Sequence, residues 1–201
     1  MLPTSFHTAV VHAAFPTIDA DSSFCVDAAD LDYPPFAEAL WPALSRVTTF
    51  RRTFDMRGMR RVNDEGAKVL GPLLAKLPCI QHLDLSRNAI DDDYVKSLGP
   101  YLAQLSSITQ IDLSNNFIGD VGARTLGPHL AQLTSIKQID LSQNKIGTDG
   151  AISLGPHLAQ LTSNRVLDRS WNHISDDGVK SLGPHLAHLT SITQIHLSKK
   201  I

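Results

Sequence analysis

The chain has 201 residues, with 18 basic against 20 acidic side chains and a formal net charge of −2. That balance leaves no basic surplus to neutralise a phosphate backbone, so no nucleic-acid partner is expected. The composition, 42% hydrophobic and 19% charged, is that of a folding chain, and no apolar run approaches the ~20 residues of a membrane span.

Residues 1–23 carry neither a basic leading region nor a long apolar stretch. They read as a partly irregular N-terminal segment and not as a signal peptide. Cys25 and Cys79 lie far apart and fit reduced, buried thiols better than a disulfide framework. With no glycosylation sequon in the chain, a cytoplasmic location is expected.

From residue 24 onward the chain repeats. Two degenerate units come first, FCVDAADLDYPPFAEALWPALSRVTTF from Phe24 and FDMRGMRRVNDEGAKVLGPLLAKLPCI from Phe54. The second has one extra residue between its strand and its helix. Four regular units follow without a gap, from His82, Gln110, Gln138 and Val166, each 28 residues after the last. A seventh strand, QIHLSKKI, starts at Gln194. Residues 24–201 therefore read as a single array of about seven strand–helix units, the first two degenerate and the last incomplete. Atypical terminal units suit a repeat array, whose ends need polar outer faces.

Each column of the repeat has a physical role. Leu83 and Leu85, then Ile111 and Leu113, then Ile139 and Leu141, alternate as inward strand residues. Ile90, Ile118, Ile146 and Ile174 close the turn after the strand. Leu98, Leu102 and Leu105 recur at helical spacing and cover the other side of the core. Asn88, Asn116, Asn144 and Asn172 share one column, where an inward amide can bond backbone groups left free at the bend. Gly-Pro recurs inside each helix, at 99–100, 127–128, 155–156 and 183–184, and predicts a kinked or split helix.

The string L-x-L-x-x-N-x-I, followed by D-x-G-A-x-x-L and a second helical leucine, resembles the ribonuclease-inhibitor-like class of leucine-rich repeats. The resemblance implies an α/β solenoid, a curved horseshoe with parallel strands on its concave face and helices on its convex face. Strand–helix alternation with right-handed crossovers leads to a parallel sheet independently.

In that architecture the concave face is lined by outward strand residues. Strands about 4.8 Å apart would align Asp84, Asp112, Asp140 and Asp168 as a carboxylate ladder ending at His196. Such a strip would attract a basic partner segment or a cation. Trp171 is the large aromatic among these positions, the type enriched at interface hot spots. The expected function is a protein–protein interaction scaffold that binds its partner on this face, with no cofactor and no metal. His129, His157 and His185 form a helix column, continued by Tyr101, that reads as a solvated face, because ligands would have to converge within about 2.1 Å of one ion. Arg169 replaces an inward leucine in the sixth unit and reads as drift.

No P-loop, G-x-S-x-G, HExxH or CxxC motif is present, so no enzyme is expected. One alternative rests on FDMRGMRRVNDEGAKVL, which resembles the corresponding unit of the Ran GTPase-activating proteins. Their catalytic arginine lies in an expanded loop before the helix. The matching residue is Arg61, ahead of Val62, Asn63, Asp64 and Glu65. Such an arginine would neutralise charge developing on a transferred phosphoryl group. The strand at Gln194, with no helix after it, suggests a truncated product or fragment, or a dimer formed edge to edge; otherwise a monomer is expected.

Overall fold

A computed structural model describes residues 24–25, 53–55, 57, 64–75, 80–161, 166–168, 172–188 and 194–196. The strands are β1 (Phe24–Cys25), β2 (Thr53–Asp55), β3 (His82–Asp84), β4 (Gln110–Asp112), β5 (Gln138–Asp140), β6 (Val166–Asp168) and β7 (Gln194–His196). They form one seven-stranded sheet in sequential order, every neighbouring pair parallel. Between β2 and β7 run five helices among the described residues: α1 (Asp64–Leu74), α2 (Asp92–Leu102), α3 (Asp120–Leu130), α4 (Thr148–Leu158) and α5 (Asp176–Leu186).

From β3 to β7 the register advances by one repeat per strand: Leu83 pairs with Ile111, Ile111 with Ile139, Ile139 with Leu167 and Leu167 with Ile195. The degenerate unit starts its strand at Thr53, and Phe54 pairs with Leu83 in the backbone register. The extra residue therefore falls between β2 and α1, as the sequence indicated.

Each strand is short because the repeat turns as soon as its inward residues are spent. In β3, β4 and β5 the middle residue is buried and its neighbours are half-buried. The core is a stack of Leu83, Leu85, Ile90, Leu98, Leu102 and Leu105 and their equivalents in the next two units, none more than 1% exposed. At the ends it loosens, with Leu70 at 5% and Ile174 at 9%. Burying each such side chain contributes about 1.5–3 kcal/mol, and no single unit could close its core alone.

The Gly-Pro pairs do not split the helices. Each helix runs unbroken through Pro72, Pro100, Pro128, Pro156 or Pro184 in its last turn. The preceding glycine has no Cβ to collide with the proline ring. The turn then closes regularly: Ala103, Ala131, Ala159 and Ala187 donate their N–H to the carbonyls of Gly99, Gly127, Gly155 and Gly183 at 3.0–3.1 Å.

In α2, Tyr94 stands where the next units have Gly122, Gly150 and Gly178. Its ring is fully buried, its hydroxyl has no hydrogen-bond partner among the described residues, and burial pushes the phenol well above its usual pKa. Tyr94→Phe removes a desolvated polar group and leaves the ring in place. It is expected to raise stability by about 1 kcal/mol in urea titration, whereas a loss of stability would mean that the hydroxyl has a partner.

Candidate interaction face

The face of the sheet turned away from the helices carries Asp84, Asp112 and Asp140 in direct register. Each carboxylate is first a turn-former. Its Oδ1 accepts the N–H two residues on: Ser86 to Asp84 at 3.0 Å, Ser114 to Asp112 at 2.8 Å and Ser142 to Asp140 at 2.8 Å. This Asx-type bond ends the strand. It also draws Ser86 and Ser142 inward, so both are buried and stand apart from the open face where the strand alternation put them. The following residue takes a left-handed conformation, with φ of 58° at Arg87, 54° at Asn115 and 55° at Gln143, and leaves an exposed side chain. Arg57, at the start of the array, places its Nε 3.2 Å from Asp84 Oδ2.

The ladder continues in the backbone: Asp140 pairs with Asp168, and Asp168 with His196. The side chains of Asp168 and His196 lie outside the described residues, as do Arg61, Cys79, Arg169, Trp171 and Lys200 in full.

Beneath the turn runs the asparagine ladder. Asn116 Oδ1 accepts the N–H groups of Asn88 and Ile90, both at 3.1 Å, and its Nδ2 donates to the carbonyls of Leu85 and Leu113, both at 3.0 Å. Asn144 repeats the pattern with Ile118, Leu113 and Leu141. Each amide thus ties its own bend to the preceding unit. The face is therefore rigid where its acidic side chains emerge.

The helix N-termini are also tied across units. Gly119 and Gly147 occupy the cap positions of α3 and α4 and have no capping side chain. Asp92 of the preceding helix accepts the Gly119 N–H at 2.7 Å, and Asp120 accepts those of Gly147 and Gly150 at 2.7 and 2.9 Å. Asp120→Ala is expected to cost about 1–2 kcal/mol, read by thermal unfolding. A change within error would assign those donors to solvent.

The histidine column is not a solvated face. A Cβ built on Gly99 would lie 2.4 Å from His129 Cδ2, one on Gly127 2.5 Å from His157 Cδ2, and one on Gly155 2.6 Å from His185 Cδ2; Tyr101 meets Gly71 in the same way. Each ring thus fills the space that the preceding helix leaves by having glycine. The ring is half-buried, and His129 Nδ1 is buried without a partner among the described residues. Desolvation lowers the His129 pKa below its ordinary 6.5. The folded state thus favours the neutral ring. Its contribution is present above pH ~6.5 and is lost as pH falls from the unfolded pKa toward the lower folded one. His129→Tyr, the residue found at Tyr101, should flatten the fall of the thermal midpoint between about pH 7.5 and 5. Parallel curves for the two proteins would contradict this.

Among the described residues no group of three His, Cys, Asp or Glu side chains is placed to hold a metal ion, and no helix is long and apolar enough to cross a membrane. Among the described residues, three large exposed apolar side chains escaped the sequence reading: Phe117, Val121 and Ile152. They were visible in the sequence as breaks in otherwise small or charged columns.

Sheet, helices and ladders together define a leucine-rich-repeat solenoid. The family comparison agrees: residues 76–99, 104–127, 132–155 and 165–183 match the leucine-rich repeat. Among solved structures the chain is similar to leiomodin-1 actin-binding site 2, at 12% identity and a TM-score of 0.59, over 74% of this chain and 86% of that one. It is also similar to the tropomodulin C-terminal domain of Caenorhabditis elegans, at 16% identity and a TM-score of 0.59, over 76% and 92%. At these identities the likeness carries the fold alone. No curated protein matches the sequence significantly.

Proposed function

We propose that this protein is a non-enzymatic interaction scaffold of the ribonuclease-inhibitor-like kind, which holds a protein partner on the concave face of its sheet. The observation that supports this most is the in-register row of Asp84, Asp112 and Asp140, each fixed by its turn bond on a sheet tied together by buried asparagines. Carboxylates held in place lose little side-chain freedom when a basic segment docks, and the charge steers its approach. Asp168, Trp171 and His196 extend the proposed face. We place the protein in the cytoplasm, as a monomer or a dimer.

Because one like-folded domain is an actin-binding site, actin is the first purified probe. Calorimetry with Asp112→Asn/Asp140→Asn is the informative comparison, since asparagine keeps the turn-forming acceptor and removes the charge. Binding by the parent that weakens about tenfold in the variant supports the reading, and equal affinities count against the face.

The GTPase-activator alternative rests on the resemblance at Arg61. Stimulation of Ran GTP hydrolysis by the parent, lost in Arg61→Ala, would establish it, and no stimulation by the parent ends it.

A further inference from the structure

In a repeat of fixed period, every residue of a column meets the same structural demand, so the units act as controls for one another. Three columns lie on the rim where the strand turns into the helix, exposed at every position except the half-buried Ala89. The first holds Ala89, Phe117, Lys145 and His173; the second Asp93, Val121, Asp149 and Asp177; the third Lys96, Arg124, Ile152 and Lys180. The backbone accepts a charged residue at each of these sites, as the sibling units show. The fold therefore does not require Phe117 at 49% exposure, Val121 at 59% or Ile152 at 44%. Leaving apolar side chains in water is unfavourable, and adjacent exposed ones mark contact surfaces.

Phe117 and Val121 belong to one unit, on the turn and on the first turn of α3. Lys145 of the next unit lies over the Phe117 ring, 4.5 Å from its centroid. On either side of Val121 in its column stand the exposed carboxylates Asp93 and Asp149. We infer that Phe117 and Val121 form a second protein-binding surface, separate from the sheet face, that takes an extended segment with an apolar side chain flanked by basic ones. The apolar residue covers Val121 and the edge of Phe117, and its basic neighbours meet Asp93 and Asp149. Packed helices lie about 8–10 Å apart and an extended chain rises about 3.3 Å per residue, so the basic residues fall about three positions before and after the apolar one. Lys96 and Arg124, one helical turn farther along, repel such a segment and confine it to the acidic column. Ile152 interrupts that basic row and widens the apolar contact.

The test uses the full chain and two synthetic peptides in fluorescence anisotropy. One has leucine at its centre with lysine about three residues to either side, and the other has glutamate in place of the lysines. The variant is Phe117→Ala/Val121→Asp, which installs residues that sibling units carry at Ala89 and Asp93. The lysine peptide is expected to bind the parent at least about tenfold more tightly than the glutamate peptide and than it binds the variant, at an unchanged thermal midpoint. No binding of the lysine peptide, equal binding of the two peptides, or equal binding to parent and variant overturns the inference. So does a parent dimer in sedimentation that the variant disperses, which would assign the patch to a second copy.

Discussion

Replacing Asn116 by alanine is expected to lower the unfolding free energy by about 3–4 kcal/mol in urea titration, a large share of what a domain of this size has. The side chain satisfies five backbone groups. Its oxygen takes two N–H groups, from Asn88 and Ile90, and its nitrogen serves the carbonyls of Leu85, Leu113 and Ser114. Alanine takes the acceptor from the two buried N–H groups. The carbonyls of Leu85, Leu113 and Ser114 each keep one donor, from Asn88 Nδ2, Asn144 Nδ2 and the Arg87 N–H. A buried orphan costs more than a made bond contributes. Asn116→Asp should be at least as damaging, because it turns the donor nitrogen into an oxygen facing three carbonyls. A loss below about 1 kcal/mol for both variants would mean that water can enter the bend and replace the amide.

The second large effect is a difference between two identical substitutions. Gly127→Ala and Gly183→Ala both place alanine before a helical proline, so helix propensity and the pre-proline clash affect them alike. Their surroundings differ. At Gly127 the new Cβ meets His157 Cδ2 at 2.5 Å, and at Gly183 no described residue lies within 4 Å. Gly127→Ala is therefore expected to be less stable than Gly183→Ala by about 2 kcal/mol, the cost of displacing a packed ring. Adding His157→Ala to Gly127→Ala should recover most of that difference in a double-mutant cycle. Equal effects at the two glycines, or additive effects of Gly127→Ala and His157→Ala, would show that the ring is not seated there.

These two effects differ in how far the sequence disclosed them. The 28-residue period made the strands, the helices and the Leu and Ile core columns legible, because each is set within a single unit. The asparagine column was legible too, since an amide repeated at a bend has backbone groups as its partners. What stayed hidden are contacts that run from one unit to the next at an offset other than the period. His129 reaches Gly99, and Asp120 reaches Gly147 and Gly150. Read column by column, the histidines look like solvent-facing residues and the glycines like helix breakers. Only their pairing across units explains both. The aspartates of the sheet were found, but not their turn bonds, because strand alternation places a side chain on a face without saying what it touches there. Phe117, Val121 and Ile152 were overlooked for a simpler reason. The regular columns drew attention to what repeats, whereas these residues are informative because their siblings differ.

The central claim is that the carboxylate row on the sheet is a binding surface as well as a set of turn-formers. Affinity purification from a cell extract, with the parent and Asp112→Asn/Asp140→Asn as parallel baits of equal thermal midpoint, tests it most directly. A partner retained by the parent and lost from the variant is the expected result. Recovery of the same partners in the same amounts on both baits would contradict it and reduce the aspartates to structural residues.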